Sequence, residues 1–225
     1  MAFDTLKTQA KRAVKDVLGR NNFFFKQMYT VYPYMFDPDQ LMFLTQTAID
    51  QLAVPGTYIE VGCAHGATTA FVNRAMAQQG GKPRYITLDT FSGFPEEQSD
   101  YEIANRGKPG DIKTTFSVNR REWVQRSLEL ARVEGVECIQ GDAAVFDYAR
   151  VAPISWCLLD VDLYLPIKAA LPRIYDALAP GGIIIVDDCM DDERWDGALQ
   201  AYGEFVAERG LPFEVAHRKL GLIRK

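Results

Sequence analysis

Two apolar runs, each closed by carboxylates, constrain this chain more than any other feature. One reads WCLLDVDLY from Trp156 to Tyr164, and the other reads GGIIIVDD from Gly181 to Asp188. Neither run alternates apolar with polar residues, which is the pattern of strands covered on both faces in a parallel sheet. Residues 167–178 between them have the length of a crossover helix, so the two strands lie parallel in one sheet. Asp160, Asp162, Asp187 and Asp188 then emerge at the carboxyl ends of strands, where open α/β sheets bind their ligands.

The rest of the chain extends this α/β pattern. Residues 58–61, 85–88 and 136–139 read as strands, each leading to a glycine or an acid. Helices are expected at 67–79, 115–134 and 195–209, and acidic residues 191–193 read as the first turn of the last one. Two closing strands, 213–216 and 220–223, form an antiparallel hairpin at the sheet edge. Upstream, Asp37-Pro38 caps and opens a helix through Ala53. An amphipathic helix is expected over residues 5–18. It is followed by an aromatic segment holding Phe23, Phe24, Phe25, Met28, Tyr29, Tyr32, Tyr34 and Phe36. The expected division is an N-terminal helical and aromatic segment, 1–39, and one domain, 40–225. The aromatic segment serves as packing, as a homo-oligomer contact, or as part of a lid. Residues 96–113, polar and marked by Gly107, Pro109 and Gly110, have the composition of a surface loop or lid.

Charge and cysteine usage narrow the partners. The 225 residues carry a formal charge of −5 and a pI near 5.2, which argues against electrostatic attachment to nucleic acid or anionic membrane. Cys63, Cys138, Cys157 and Cys189 are widely spaced with no CxxC pair, so buried free thiols are expected. No run is long enough to span a bilayer and no apolar leader opens the chain. A cytoplasmic location is the expectation.

The turn Glu60-Val-Gly-Cys-Ala-His-Gly66 stands between a strand and a helix, so backbone can approach a ligand at Gly62 while helix amides point into the site. A dinucleotide fingerprint requires G-x-G-x-x-G with an acid about 20 positions on. Here the middle glycine is missing and Asp89 comes later than that. A nucleoside without pyrophosphate fits better. Asp89 can accept hydrogen bonds from ribose hydroxyls, and Gly141-Asp142 can meet an adenine. His65 reads as a solvated loop residue.

Together, Glu60 to Gly66, Asp89-Thr-Phe-Ser-Gly-Phe-Pro95, Gly141-Asp142, Asp160-Val-Asp-Leu-Tyr164 and Pro180 to Asp188 resemble the class I S-adenosylmethionine-dependent methyltransferases. The match is nearest to the macrocin, mycinamicin and novobiocin type of sugar O-methyltransferase, and it covers residues 40–202. The resemblance implies a Rossmann-like, mostly parallel sheet, S-adenosylmethionine as cofactor, a divalent metal (usually magnesium) and a hydroxyl acceptor on a sugar. Carried over, Glu60, Gly62, Ala64 and Gly66 surround the methionine part of the cofactor. Asp89 and Thr90 take the ribose, and Asp142 and Ala143 the adenine. Asp160, Asp187 and Asp188 hold the metal. Asp160 also borders the cofactor and is the catalytic base. The family more often has Asp-Gly-Asp and Asp-Asp-Tyr where this chain has Val161 and Cys189.

The carboxylates make sense independently. Two like charges about 4 Å apart cost on the order of 4 kcal/mol at an effective dielectric near 20. Three at one sheet edge need protons, water or a cation, and hard oxygen donors suit magnesium better than zinc. Asp162 reads as a solvated turn residue. Three other readings are a catechol-type metal-dependent methyltransferase acting on a small phenolic, a non-catalytic binding module, and a dehydrogenase. The first usually carries a lysine just after the first acid, where the nearest here is Lys168.

Overall fold

A computed structural model describes residues 10, 11, 13, 14, 17, 18, 32–191 and 194–225. The chain divides into two units, Met1–Met35 and Phe36–Lys225. In the first, the described residues 10, 11, 13, 14, 17 and 18 are helical. The remainder of the helix expected at 5–18, and Phe23 to Tyr29, lie outside the described residues. Everything below concerns the second unit.

The second unit begins with helix α1 (Pro38–Asp50) and a single 3-10 turn. The Gln40 side chain reaches back to accept from the Asp37 backbone N–H at 2.8 Å, half of a capping box. The alternating core then runs β1 (Thr57–Val61), α2 (Ala67–Gln78), β2 (Tyr85–Asp89), α3 (Glu96–Arg106), α4 (Arg121–Leu130), β3 (Val136–Gln140), β4 (Ile154–Leu159), α5 (Tyr164–Ala177) and β5 (Leu178–Val186). Helix α6 (Gly197–Arg209) and strands β6 (Val215–Ala216) and β7 (Leu220–Arg224) close the chain.

The seven strands are ordered β3-β2-β1-β4-β5-β7-β6. The first five pair parallel, while β7 is antiparallel to both β5 and β6. The closing hairpin therefore sits with β7 inside the sheet and only β6 at the edge. Every residue of β1 and β4 is buried, the polar Thr57, Glu60 and Ser155 among them. On one face, Tyr58, Tyr85 and Trp156 form a buried aromatic layer with centroids 5.9–6.2 Å apart. Their polar tips are satisfied by α1 and β1. Tyr58 donates to the Ala48 carbonyl, Trp156 Nε1 to Thr47 Oγ1, and Tyr85 to Glu60.

Three expectations need correction. The polar stretch 96–113 is not a loop: it holds α3 and a 3-10 turn, Gly110–Thr114. Glu96 and Glu97 match the dipole at its start, and Gly107 closes it in the left-handed region (φ 67°). The helix expected at 115–134 shrinks to Arg121–Leu130: Phe116 (φ 59°) and Arg132 (φ 58°) are left-handed and Arg120 is extended, while Asn119 donates its side-chain amide to the Ala64 carbonyl (2.7 Å). The last helix starts at Gly197, so Asp191 precedes it, and residues 192 and 193 lie outside the described residues. Among the described residues no helix is long and apolar enough to cross a membrane. All four cysteines are free, three of them buried.

Candidate active site

The carboxyl ends of the central strands are tied into one rim by backbone hydrogen bonds. Gly141 N–H donates to Asp89, Gly62 to Leu88, Asp160 to Val61 and Asp187 to Leu159, all at 2.8–2.9 Å. The strand order reverses between β1 and β4, the switch point beside which open α/β sheets bind their ligands. Gly62 and Asp160 pack directly against each other there. A Cβ on Gly62 would lie 1.7 Å from the Asp160 carbonyl oxygen, and its φ is +87°, so only glycine fits.

Asp89 organises the turn above β1. Its Oδ2 accepts the Cys63 and Ala64 amides at 2.9 and 3.1 Å, and its Oδ1 accepts Phe91 N–H at 2.7 Å. With about four lone-pair sites on a carboxylate, one on Oδ1 remains for a ligand. Ala64 (φ 45°) and Gly66 (φ 76°) are both left-handed, and Gly66 opens α2. Thr90 donates to the Gly93 carbonyl. Glu60 is buried beneath the turn and accepts from Thr69 (2.7 Å) and Tyr85 (2.9 Å). Burial pushes its carboxyl up to about 7 against the pull of those bonds. His65 is exposed, as expected.

Asp142 accepts from Ala144 N–H and, on both oxygens, from Gln98 Nε2 at 3.0 Å. Gln98 belongs to α3, within the stretch that reads from sequence as a surface loop or lid, where local pattern singles out no residue for the site. Ala143 beside it is buried. Helix α3 is firmly held. Glu102 Oε1 accepts Tyr164 N–H at 2.7 Å, at the mouth of α5. Arg106 and Lys108 both pair with Asp196 before α6. Arg106 Nε also lies 2.9 Å from Glu102 Oε2, an ion pair by distance without hydrogen-bond alignment.

Asp160, Asp187 and Asp188 each offer an oxygen within 4.8 Å of one another. Asp187 and Asp188 are buried. Asp162 lies near them rather than facing open water: it is half-buried at φ 58°, and burial, then the Asp188 and Asp187 charges, push its carboxyl well above the usual range. Burial and then the Asp187, Asp162 and Asp188 charges push Asp160 well above the usual carboxylate range. Burial and Asp188 hold Asp187 at about 7, although Lys219 pulls it down. Lys219 donates to Asp187 Oδ2 at 2.8 Å and Asp188 Oδ1 at 2.9 Å. Burial lowers the pKa of its ammonium, and the two acids outweigh that and raise it. Asp187 Oδ1 is buried with no partner. An orphaned carboxylate oxygen among three converging hard donors fits a divalent cation.

Lys219 and Gln98 were not foreseen. No local signal marks the lysine; the register of the structure brings it in, because with Val186 paired to Gly221, Asp188, two residues past Val186, faces Lys219, two residues before Gly221. Phe94, five residues beyond Asp89, clusters with Phe116 and Trp195, with centroids 5.8–6.5 Å apart. Lys168 is engaged elsewhere, with Glu204 at 3.0 Å.

A parallel sheet with β7 inserted antiparallel, a glycine turn after β1 and acids at the strand ends define a Rossmann-like methyltransferase fold. Residues 39–218 match the profile described as macrocin-O-methyltransferase (TylF), and the chain belongs to that family. It is 25% identical over 171 residues to the 8-demethyl-8-(2,3-dimethoxy-alpha-L-rhamnosyl)-tetracenomycin-C 4'-O-methyltransferase of Streptomyces olivaceus. That match covers 74% of this chain and 65% of the relative, so the chain spans just under two thirds of that protein. The calicheamicin methyltransferase CalS11 superposes with a TM-score of 0.67 at 20% identity, over 96% of this chain and 91% of that one. The O-methyltransferase NovP gives 0.69 at 21%, over 85% and 81%.

Proposed function

We propose that this protein transfers a methyl group from S-adenosylmethionine to a hydroxyl of a sugar, on a glycosylated natural product or a polysaccharide precursor. The observation that carries the reading is the convergence of Asp160, Asp187 and Asp188 beside the β1–β4 switch point. The family and a curated relative that methylates a rhamnosyl group support the acceptor class.

In this reading Gly62, Ala64 and Gly66, with Glu60 beneath them, receive the methionine part of the donor. The remaining lone pair of Asp89, with Thr90, faces the ribose, and Asp142 and Ala143 face the adenine. Phe94, Phe116 and Trp195 offer ring surface to the apolar face of a sugar. Asp160, Asp187 and Asp188 would hold magnesium or another hard divalent cation, which when bound supplies Lewis acidity that lowers the hydroxyl pKa.

The reaction forms an O–CH3 bond and breaks an S–CH3 bond, so the sulfur leaves as a neutral thioether and needs no acid. The hydroxyl proton must still go somewhere. Asp160 packs against Gly62 and takes it as general base. The other residues align donor and acceptor.

The test is methyl transfer from labelled S-adenosylmethionine to nucleotide sugars and glycosylated natural products, with wild type and Asp160→Asn. The variant should bind the cofactor like wild type by calorimetry and lose turnover. Full activity in Asp160→Asn removes that residue from the mechanism, and no transfer to any sugar hydroxyl removes the acceptor class.

A further inference from the structure

Lys219 sits where a metal's charge would be needed. Its ammonium takes one oxygen from Asp187 and one from Asp188, at 2.8 and 2.9 Å, and these are two of the three acids able to hold a cation. It leaves Asp187 Oδ1 without a donor, on a side chain only 5% exposed. Resting on the metal reading above, we propose that Lys219 is a tethered cation that competes with the divalent metal for Asp187 and Asp188, and so sets how tightly the site takes the metal up.

The backbone holds this lysine in place. Lys219 lies in the turn joining β6 to β7, and its carbonyl accepts the Cys189 N–H at 2.7 Å. His217 and Arg218 before it are both left-handed, φ 47° and 72°, a conformation that persists in such residues only when the surroundings enforce it. The enforcement comes from the start of α1. Asp39 pairs with His217 at 2.9 Å, Gln40 donates to the His217 carbonyl at 3.0 Å, and Asp37 pairs with Arg218.

The head group, by contrast, ends a flexible four-carbon stem. A single ammonium cannot neutralise the four acids Asp160, Asp162, Asp187 and Asp188, whereas a divalent ion comes closer. An ammonium and a divalent ion on the same oxygens repel strongly, so the stronger cation displaces the tethered one. The Phe36 ring lies 5.0 Å from Nζ in the paired position, a cation–π contact that helps to hold the ammonium there until a stronger cation arrives. Lys219 is thus a positioning residue. It keeps Asp187 and Asp188 paired and in place before metal arrives, and it weakens metal binding by having to be moved.

Titration of Mn2+ into the full-length protein, followed by electron paramagnetic resonance and calorimetry, tests this. Lys219→Met should bind Mn2+ at least about tenfold tighter than wild type because the like charge is gone, and Lys219→Arg should not. A merely structural lysine predicts the opposite, since a disordered acid pair binds metal more weakly. Lys219→Met binding no tighter than wild type overturns the proposal, while Asp187→Asn reports on the metal site itself by abolishing binding. Should Lys219→Met not fold, acylation of wild-type lysines read by peptide mass spectrometry decides. Saturating Mn2+ should raise Lys219 labelling several-fold, and unchanged labelling overturns the proposal.

Discussion

Gly62, Glu60 and Asp160 show how single residues set this site. Gly62→Ala would drive a methyl into the Asp160 carbonyl and force a left-handed alanine. Overpacking and the φ penalty together predict a loss of roughly 2–5 kcal/mol in denaturant unfolding. Glu60 makes a pH-dependent contribution. Its folded carboxyl holds its proton up to about 7 while the unfolded one releases it near 4.5, so the native state binds more protons between these values. The stabilising contribution is complete below about 4.5 and is lost as pH rises to about 7. Relative to Glu60→Gln, wild type should lose on the order of 3 kcal/mol across that window. A pH-independent difference between the two proteins would contradict this. Asp160, Asp187 and Asp188 were legible because each ends an apolar run. Lys219 was not, because its partners come from pairing β7 with β5, a long-range register that local pattern does not contain.

At the level of elements, α3 carries the clearest lesson. Its polar composition reads as a loop, yet Gln98, Ser99 and Glu102 are buried. They are buried because they bond Asp142, neighbouring carbonyls and the Tyr164 amide, not because they are apolar. Hydrophobic periodicity misses such a helix, whereas its acidic first turn and closing glycine mark it. The same logic separates two ion pairs. Glu102→Ala leaves the Tyr164 amide without its acceptor in a buried place and takes from Arg106 one of its two acids, Asp196 remaining, and should cost about 3 kcal/mol. Arg84→Ala breaks an exposed pair with Glu137 and should cost less than about 1 kcal/mol. Comparable losses in the two variants, by thermal or chemical melts, would show that α3 is not clamped. By contrast, β1, β2 and β4 were read within a few residues, because burial along nearly their whole length favours mostly apolar side chains, which local sequence shows directly.

For the molecule as a whole, one sheet gathers a glycine turn, the acids Glu60, Asp89 and Asp142, and the cluster of Asp160, Asp187 and Asp188 along a single rim. That convergence follows from parallel pairing, which sends β1, β2, β4 and β5 out of the same edge. The central claim is that Asp160, Asp187 and Asp188 hold a divalent cation that prepares a sugar hydroxyl for methylation. It is tested most directly by methyl transfer to a sugar acceptor after chelation and dialysis, with magnesium then restored. Transfer that stops on chelation and returns with magnesium in wild type, but not in Asp187→Asn, is the predicted result. Undiminished transfer in the presence of a strong chelator would contradict it.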